Sequence, residues 1–301
     1  VIAAATNFVN YKDVSADPDA RVGAVMKAVA ARSFDQIRAA HVIDHQRLFR
    51  RVEARFGSTP NSQLPTDERL KRFDGTNDPD LAALIFQFGR YLLISSSRPG
   101  TQPANLQGIW NKDMNPMWDS KYTTNINTEM NYWPAEVANL SDCAEPLFKM
   151  IREVTDQGAG VARENYGARG WVLHQNTDLW RVAAPMDGPS WGGFTTGGGW
   201  LATHLWEHYL FTQDREFLKQ TAFPLMIGAA LFYADYLVED PTTHWLISGP
   251  SNSPEQGGLV MGPTMDHQII RCLFQACIEA ARLLKLDAAD QKLVARLNTL
   301  L

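Results

Sequence analysis

The sequence predicts a mainly α-helical fold, built from helical hairpins that present their loops on one shared face. Three observations point there. From residue 80 onward, apolar residues recur at helical spacing in nearly every segment. No strand-alternating run of convincing length occurs in the same stretch. Three loops, 96–124, 165–198 and 241–262, follow every second helix, and all are rich in Trp, Asn, Gly and Pro. Loops above about 12–15 residues are uncommon and usually functional. An (α/α) barrel gathers such loops at one end. A helical bundle or a repeat array is the alternative, and the absence of a fixed-period repeat counts against the array.

Taken in order, residues 1–12 read as a short strand followed by a turn at Asn10–Asp13. Val22–Ala40 and His41–Phe56 carry apolar residues at helical spacing, and Gly57 ends that stretch. Residues 57–80, polar with Gly and Pro, form a linker or long loop and hold the domain boundary. Asp80 is the expected cap of a helix through Ser95, with Leu81, Leu84, Ile85, Phe88 and Leu92 along one face. Further helices are expected near 127–140, 144–164 and 199–211. Asp214–Val238 reads as two helical pieces broken at Pro224. Helices over 264–285 and from 288 complete the pattern. The chain opens without an initiator Met and closes inside a helical pattern, as a piece of a longer protein does.

Composition narrows the function. With 301 residues the chain holds one large or two modest domains, at about 100–200 residues each. Hydrophobic residues at 45% and charged residues at 20% exclude a disordered chain. A net charge of −5 with no basic stripe argues against duplex nucleic acid as a partner. Apolar runs such as Leu92–Ile94 are far shorter than a membrane span. Cys143, Cys272 and Cys277 have neither disulfide-framework nor zinc-ligand spacing and read as buried thiols.

The chemistry-bearing residues fall in the three loops. In the run Trp118–Trp133, Asn125 and Asn127 sit where a helix begins. One Asn suffices as a cap; two, with Asn131 a turn further on, point to amides that hold sugar hydroxyls or a water. Glu129 and Glu136 read as structural helix charges. In His174–Arg181, Asp178 either pairs with Arg181 or, beside His174 and Trp180, holds two hydroxyls of a sugar. The indoles of Trp118 and Trp191 suit stacking. In Ser248–Gly258, Glu255 lies on a loop stiffened by two prolines, where desolvation would let a carboxyl serve as a general acid. Asp266 reads as a first-turn charge. His204 and His208 flank Glu207 in an order that is not the zinc motif, so no metal site is expected. Gly188–Gly192 has Gly-x-Ser-x-Gly spacing but no preceding strand. Carboxylates, amides and indoles on three loops suit glycoside cleavage.

Several of these runs also resemble glycoside hydrolase family 95: Ser97–Thr101, Pro103–Asn111, Asn125–Trp133, Asn176–Trp180 and Ser253–Glu255, within a similarity from about residue 1 to 285. The resemblance implies an inverting α-L-fucosidase acting on terminal α-1,2-linked fucose, or an α-L-galactosidase. It implies an incomplete (α/α)6 toroid at 80–301, a helical linker at 20–79 and the end of an N-terminal β-sandwich at 1–19. By the same resemblance Glu255 is the general acid, and Asn125 and Asn127 hold the attacking water. The family's base-assisting Asp has no counterpart among these residues. Gln256 stands where the family usually has Asn, and Gln175 where a His is common. No cofactor is implied. The expected partner is a fucosylated glycan; a carbohydrate-binding relative without the chemistry, or a phosphorylase, is the competing reading.

Overall fold

The computed structural model describes residues 1–286 and 288–301. Its helices are α1 (Pro18–Ala30), α2 (Phe34–Phe49), α3 (Thr66–Arg72), α4 (Pro79–Ser96), α5 (Asn127–Val137), α6 (Glu145–Tyr166), α7 (Pro189–Gly192), α8 (Gly197–Thr212), α9 (Arg215–Phe217), α10 (Phe223–Tyr236), α11 (Thr264–Leu283) and α12 (Ala288–Leu300). Two two-residue antiparallel ladders join loops. β1 (Tyr122–Thr123) pairs with β2 (Asn176–Thr177), and β3 (Val238–Glu239) pairs with β4 (Leu246–Ile247). The chain is therefore mainly helical, as expected. The strand expected in residues 1–12 does not form; that stretch holds an isolated bridge between Asn10 and Asp13.

The helices form two rows. In one, α8 packs between α5 and α11; in the other, α10 packs beside α6 and α12 and also lies against α8 and α11. The core fills the space between the rows. On α6, Leu147, Met150, Ile151, Val154, Gly158 and Ala162 are buried at helical spacing, and Gly167 ends the helix in the left-handed conformation at φ 62°. α8 opens on Gly197, Gly198 and Gly199 because nothing larger fits. A Cβ on Gly197 would lie 2.5 Å from the His174 carbonyl oxygen, and one on Gly198 would lie 2.6 Å from the Trp171 ring.

Several boundaries differ from expectation, each for a local reason. The first helical stretch breaks at residues 31–33, not at 40, because Ser33 and Gln36 form a capping box that starts α2. α4 is capped by Asp78, whose side chain accepts from the Leu81 N–H, with Pro79 in the first turn; Asp80 makes no cap, and both carboxylates pair with Arg69. Its expected apolar face is largely exposed at Leu84, Ile85 and Phe88, while Arg90, Leu93 and Ile94 are buried. The break at Pro224 is absent. Arg215–Tyr236 runs on as one helix through a π segment at Leu218–Ala222, where the Phe223 N–H reaches the Leu218 carbonyl. Among the described residues this is also the one helix long and apolar enough to cross a membrane, and more than half of it is buried in the fold. Cys143 and Cys277 are buried, but Cys272 is exposed, because its face of α11 borders an open groove of about 880 Å³ shared with α5 and α8.

Candidate functional site

All three long loops lead into the N-terminal ends of α5, α8 and α11. Short contacts lock those ends together. Thr124, just ahead of α5, donates from its N–H to the Gln175 carbonyl at 2.7 Å and from Oγ1 to the His174 carbonyl at 2.6 Å. Thr196, at the cap of α8, donates to Asp266 Oδ1 at 3.2 Å in the first turn of α11. Helix N-termini carry unpaired N–H groups and partial positive charge, so their junction favours polar and electron-rich ligands.

Asn125 is 8% exposed and Asn127 is exposed. Ile126 between them is the N-cap of α5, at φ −179°, and no side chain caps the helix. The capping explanation for the two asparagines therefore fails. Among the described residues neither side-chain amide is held by another protein group, and both are free to donate and accept.

Beside them, Gln175 and Asn176 donate to Asp187 Oδ2 at 3.0 and 3.2 Å. Asp187 also lies 3.6 Å from Lys121. His174 is fully buried. Its Nδ1 lies 2.8 Å from the Ala183 carbonyl and its Nε2 2.5 Å from the Tyr166 hydroxyl. Burial lowers its pKa to about 4, so at neutral pH it is an uncharged brace with both nitrogens engaged.

The third loop is a narrow hairpin. Ser251 and Val260 exchange backbone hydrogen bonds at 2.9 and 2.8 Å, and the Gln256 N–H closes the tip on the Ser253 carbonyl at 3.0 Å. Glu255 stands at that tip with φ 59°, exposed to solvent. The desolvation expected around it is absent in this structure, since no part of this chain covers the tip. Asn252 Nδ2 donates to the Ser190 carbonyl at 2.6 Å, which brings half-exposed Trp191 to the base of the hairpin.

The structure thus gathers Asn125, Asn127, Trp191 and the Glu255 loop into one connected set of loops. It places Asp178 and Trp180 elsewhere, on the wall of a separate cavity of about 640 Å³. Asp178 Oδ1 accepts from the Trp180 N–H at 2.8 Å, and it meets Arg181 through its carbonyl, not its carboxylate. Trp118 is exposed, first of three consecutive residues with φ near +50°. His204 Nε2 lies 3.4 Å from the Glu129 carbonyl, and His208 Nδ1 lies 2.6 Å from Glu136; both bridge α5 and α8.

Two carboxyls turn out more unusual than their sequence positions suggest. Glu129, in the first turn of α5, is 0% exposed, and neither carboxyl oxygen has a hydrogen-bond partner. Burial raises its pKa to about 8. Asp266 is also buried, and burial raises its pKa against the opposing pull of the surrounding hydroxyls. In sequence both look like ordinary first-turn charges, and nothing local distinguishes them. Asp187 carried no signal at all.

Known proteins fit this arrangement. Residues 33–301 match the glycosyl hydrolase family 95 catalytic domain. The chain is 40% identical to alpha-L-fucosidase 2 of Arabidopsis thaliana over 303 residues, covering 94% of this chain and 36% of that protein. It is 34% identical to a probable alpha-fucosidase A of Aspergillus niger over 249 residues, covering 81% of this chain and 31% of that one. The chain therefore spans about a third of the length of the curated relatives it matches. A solved structure titled as a putative kojibiose phosphorylase from the human microbiome shares the fold at a TM-score of 0.66 and 11% identity, over 96% of this chain and 38% of that one. With this match over most of its length, the chain belongs to glycosyl hydrolase family 95, and residues 33–301 correspond to that family's catalytic domain.

Proposed function

We propose that this chain contributes the first part of an (α/α)6 barrel to an inverting exo-α-L-fucosidase acting on α-1,2-linked fucose. Residues 80–301 form that part of the barrel, 20–79 the linker and 1–19 the end of a preceding β-sandwich. The observation that carries the reading is the pair of unengaged amides, Asn125 and Asn127, either side of a helix cap they do not serve.

The division of labour follows from charge. A neutral amide cannot take a proton at pH 7, but it can orient a water and polarise it. Asn125 and Asn127 hold the attacking water, and a carboxylate from outside this chain takes its proton. Glu255 protonates the leaving oxygen from the opposite side. Inversion needs room for that water, with roughly 6.5–9.5 Å between acid and base. A glycan seated against Trp191 and the hairpin base would bring its glycosidic oxygen within hydrogen-bond reach of Glu255, which general acid catalysis requires. Trp118 offers a further stacking face at the rim, and His174 supports the seat from below through its carbonyl bond to Thr124.

The test is release of free L-fucose from 2′-fucosyllactose, with an α-L-galactoside as comparator. It is run on this chain and on a form extended through the remainder of the family's length. The expected result is release by the extended form and loss in its Glu255→Gln and Asn125→Ala variants. Binding of both glycosides without cleavage would replace the enzyme with a carbohydrate-binding relative.

A further inference from the structure

The cavity of about 640 Å³ is built from the last residues of α4, the chain from there to Tyr122 at the start of β1, and the tip Asp178–Trp180. No residue of the Glu255 hairpin or of α8 lines it. Its volume is that of an ordinary small-ligand site, and its walls are specific. Trp180 is half-exposed, and its ring is held edge-on by Phe8 at 5.7 Å. Ile109 supplies a second apolar surface. Behind Trp180, Arg181 is fully buried and bonded to Glu153 at 2.8 Å, to Gln102 at 2.5 Å and to the Asp178 carbonyl at 2.8 Å, which fixes the tip.

The polar groups of this cavity are incomplete. Arg98 Nε and Ser120 Oγ are buried without a hydrogen-bond partner. Buried polar atoms are seldom left unpaired, so such atoms on a cavity wall mark where a ligand's polar groups belong. The positively charged groups, in contrast, are already matched. Arg98 Nη2 lies 2.9 and 3.0 Å from the two oxygens of Asp44, and Lys121 lies 3.4 Å from Asp119 and 3.6 Å from Asp187. An anion would find no spare positive charge here. A neutral ligand with one apolar face and a rim of hydroxyls fits the indole and the two unpaired groups together.

We propose that this cavity is a second carbohydrate seat, separate from the cleavage site, which takes a neutral pyranose against Trp180 with hydroxyls on Arg98 Nε and Ser120 Oγ. It goes beyond the function proposed above, because a seat of this kind binds sugar whether or not the chain cleaves it.

The experiment uses this 301-residue chain, with lactose as the probe and inorganic phosphate as the charged comparator. The Trp indole N–H resonances are followed by NMR during each titration. Lactose is expected to shift the Trp180 resonance saturably at millimolar concentration, and phosphate to leave it in place. Trp180→Ala should weaken the lactose response of its neighbours about tenfold, Trp180→Phe should restore most of it, and Ser120→Ala should weaken it with an unchanged melting temperature. Trp191→Ala, at the other site, should leave the Trp180 shift intact. No shift with lactose, or an unaltered affinity in Trp180→Ala, overturns the proposal. A response to phosphate stronger than to lactose makes the cavity an anion site and overturns it as well.

Discussion

Ser248 Oγ donates to Asp266 Oδ2 at 2.9 Å, tying the loop that carries Glu255 to the first turn of α11. Thr196 at the start of α8 holds the other oxygen of the same carboxylate. One buried side chain therefore joins two helix ends and a loop. Asp266→Ala leaves both hydroxyls unpartnered, a loss of about 2–3 kcal/mol in stability. Fucose release in an active form should fall at least about tenfold, with kcat affected more than KM, since Glu255 loses its fixed seat. Asp266→Asn keeps one acceptor oxygen and should recover part of the loss. Full activity in the alanine variant would mean that the hairpin holds its shape unaided.

A pH dependence of stability is expected from Glu129. Its folded-state pKa of about 8 lies above the ordinary 4.5 because burial disfavours the charged form. The folded chain therefore keeps a proton that the unfolded chain releases. Its contribution to stability is full below pH 4.5, declines as pH rises and is gone above about 8, a change of several kcal/mol in order of magnitude. Asp266 acts in the same direction. Urea unfolding at pH 5, 7 and 9 should show this decline, and Glu129→Gln should flatten it. A Glu129→Gln profile parallel to that of the parent chain would refute the assignment.

Arg90 is 1% exposed and donates to the carbonyls of Leu48, Phe49, Val52 and Ala138, at 3.0, 2.6, 3.1 and 3.2 Å. It joins the end of α2 and the end of α5 to α4, with its charge at the negative pole of α2. Arg90→Leu preserves bulk but strands those carbonyls, and should lower stability by about 3 kcal/mol or more. A urea midpoint within error of the parent would show that water replaces the guanidinium without loss.

For Gly198→Ala, helix propensity and packing predict opposite signs. Propensity alone favours the alanine by about 1 kcal/mol. The added Cβ, however, would lie 2.6 Å from the Trp171 ring and 3.0 Å from the Leu173 nitrogen. Crowding of this kind costs about 1–3 kcal/mol, so a net fall in melting temperature is expected. A rise would mean that Trp171 moves aside freely.

What the sequence revealed of the fold follows from the range of each interaction. Helix positions after residue 80 rest on local periodicity and were legible, as was the alternation of helix pairs with long loops. The start of α4 lies at Asp78 and not at Asp80 because, of the two acidic residues flanking Pro79, both pair with Arg69 and only Asp78 also accepts from the Leu81 N–H, a contact that the sequence does not mark. The face of α4 was misread because periodicity marks an apolar stripe without saying what covers it. At the site, Asn125 and Asn127 stood out through their number, whereas the burial of Glu129 depends on side chains distant in sequence. Asp178 and Trp180 carry the right chemistry for a sugar, yet only tertiary structure separates their cavity from the Glu255 loop.

Each loop bordering the site leaves one helix pair and returns to the next, with its ends fixed by contacts such as Thr124 on His174 and Thr196 on Asp266. The helices carry the stability, while the loops carry the recognition surface. A change of length between those anchor points reshapes one wall of the site and leaves the register of the other two intact. Descendants of such a scaffold can therefore change what one wall admits by drift in a single insertion, with no repacking of the helices beneath.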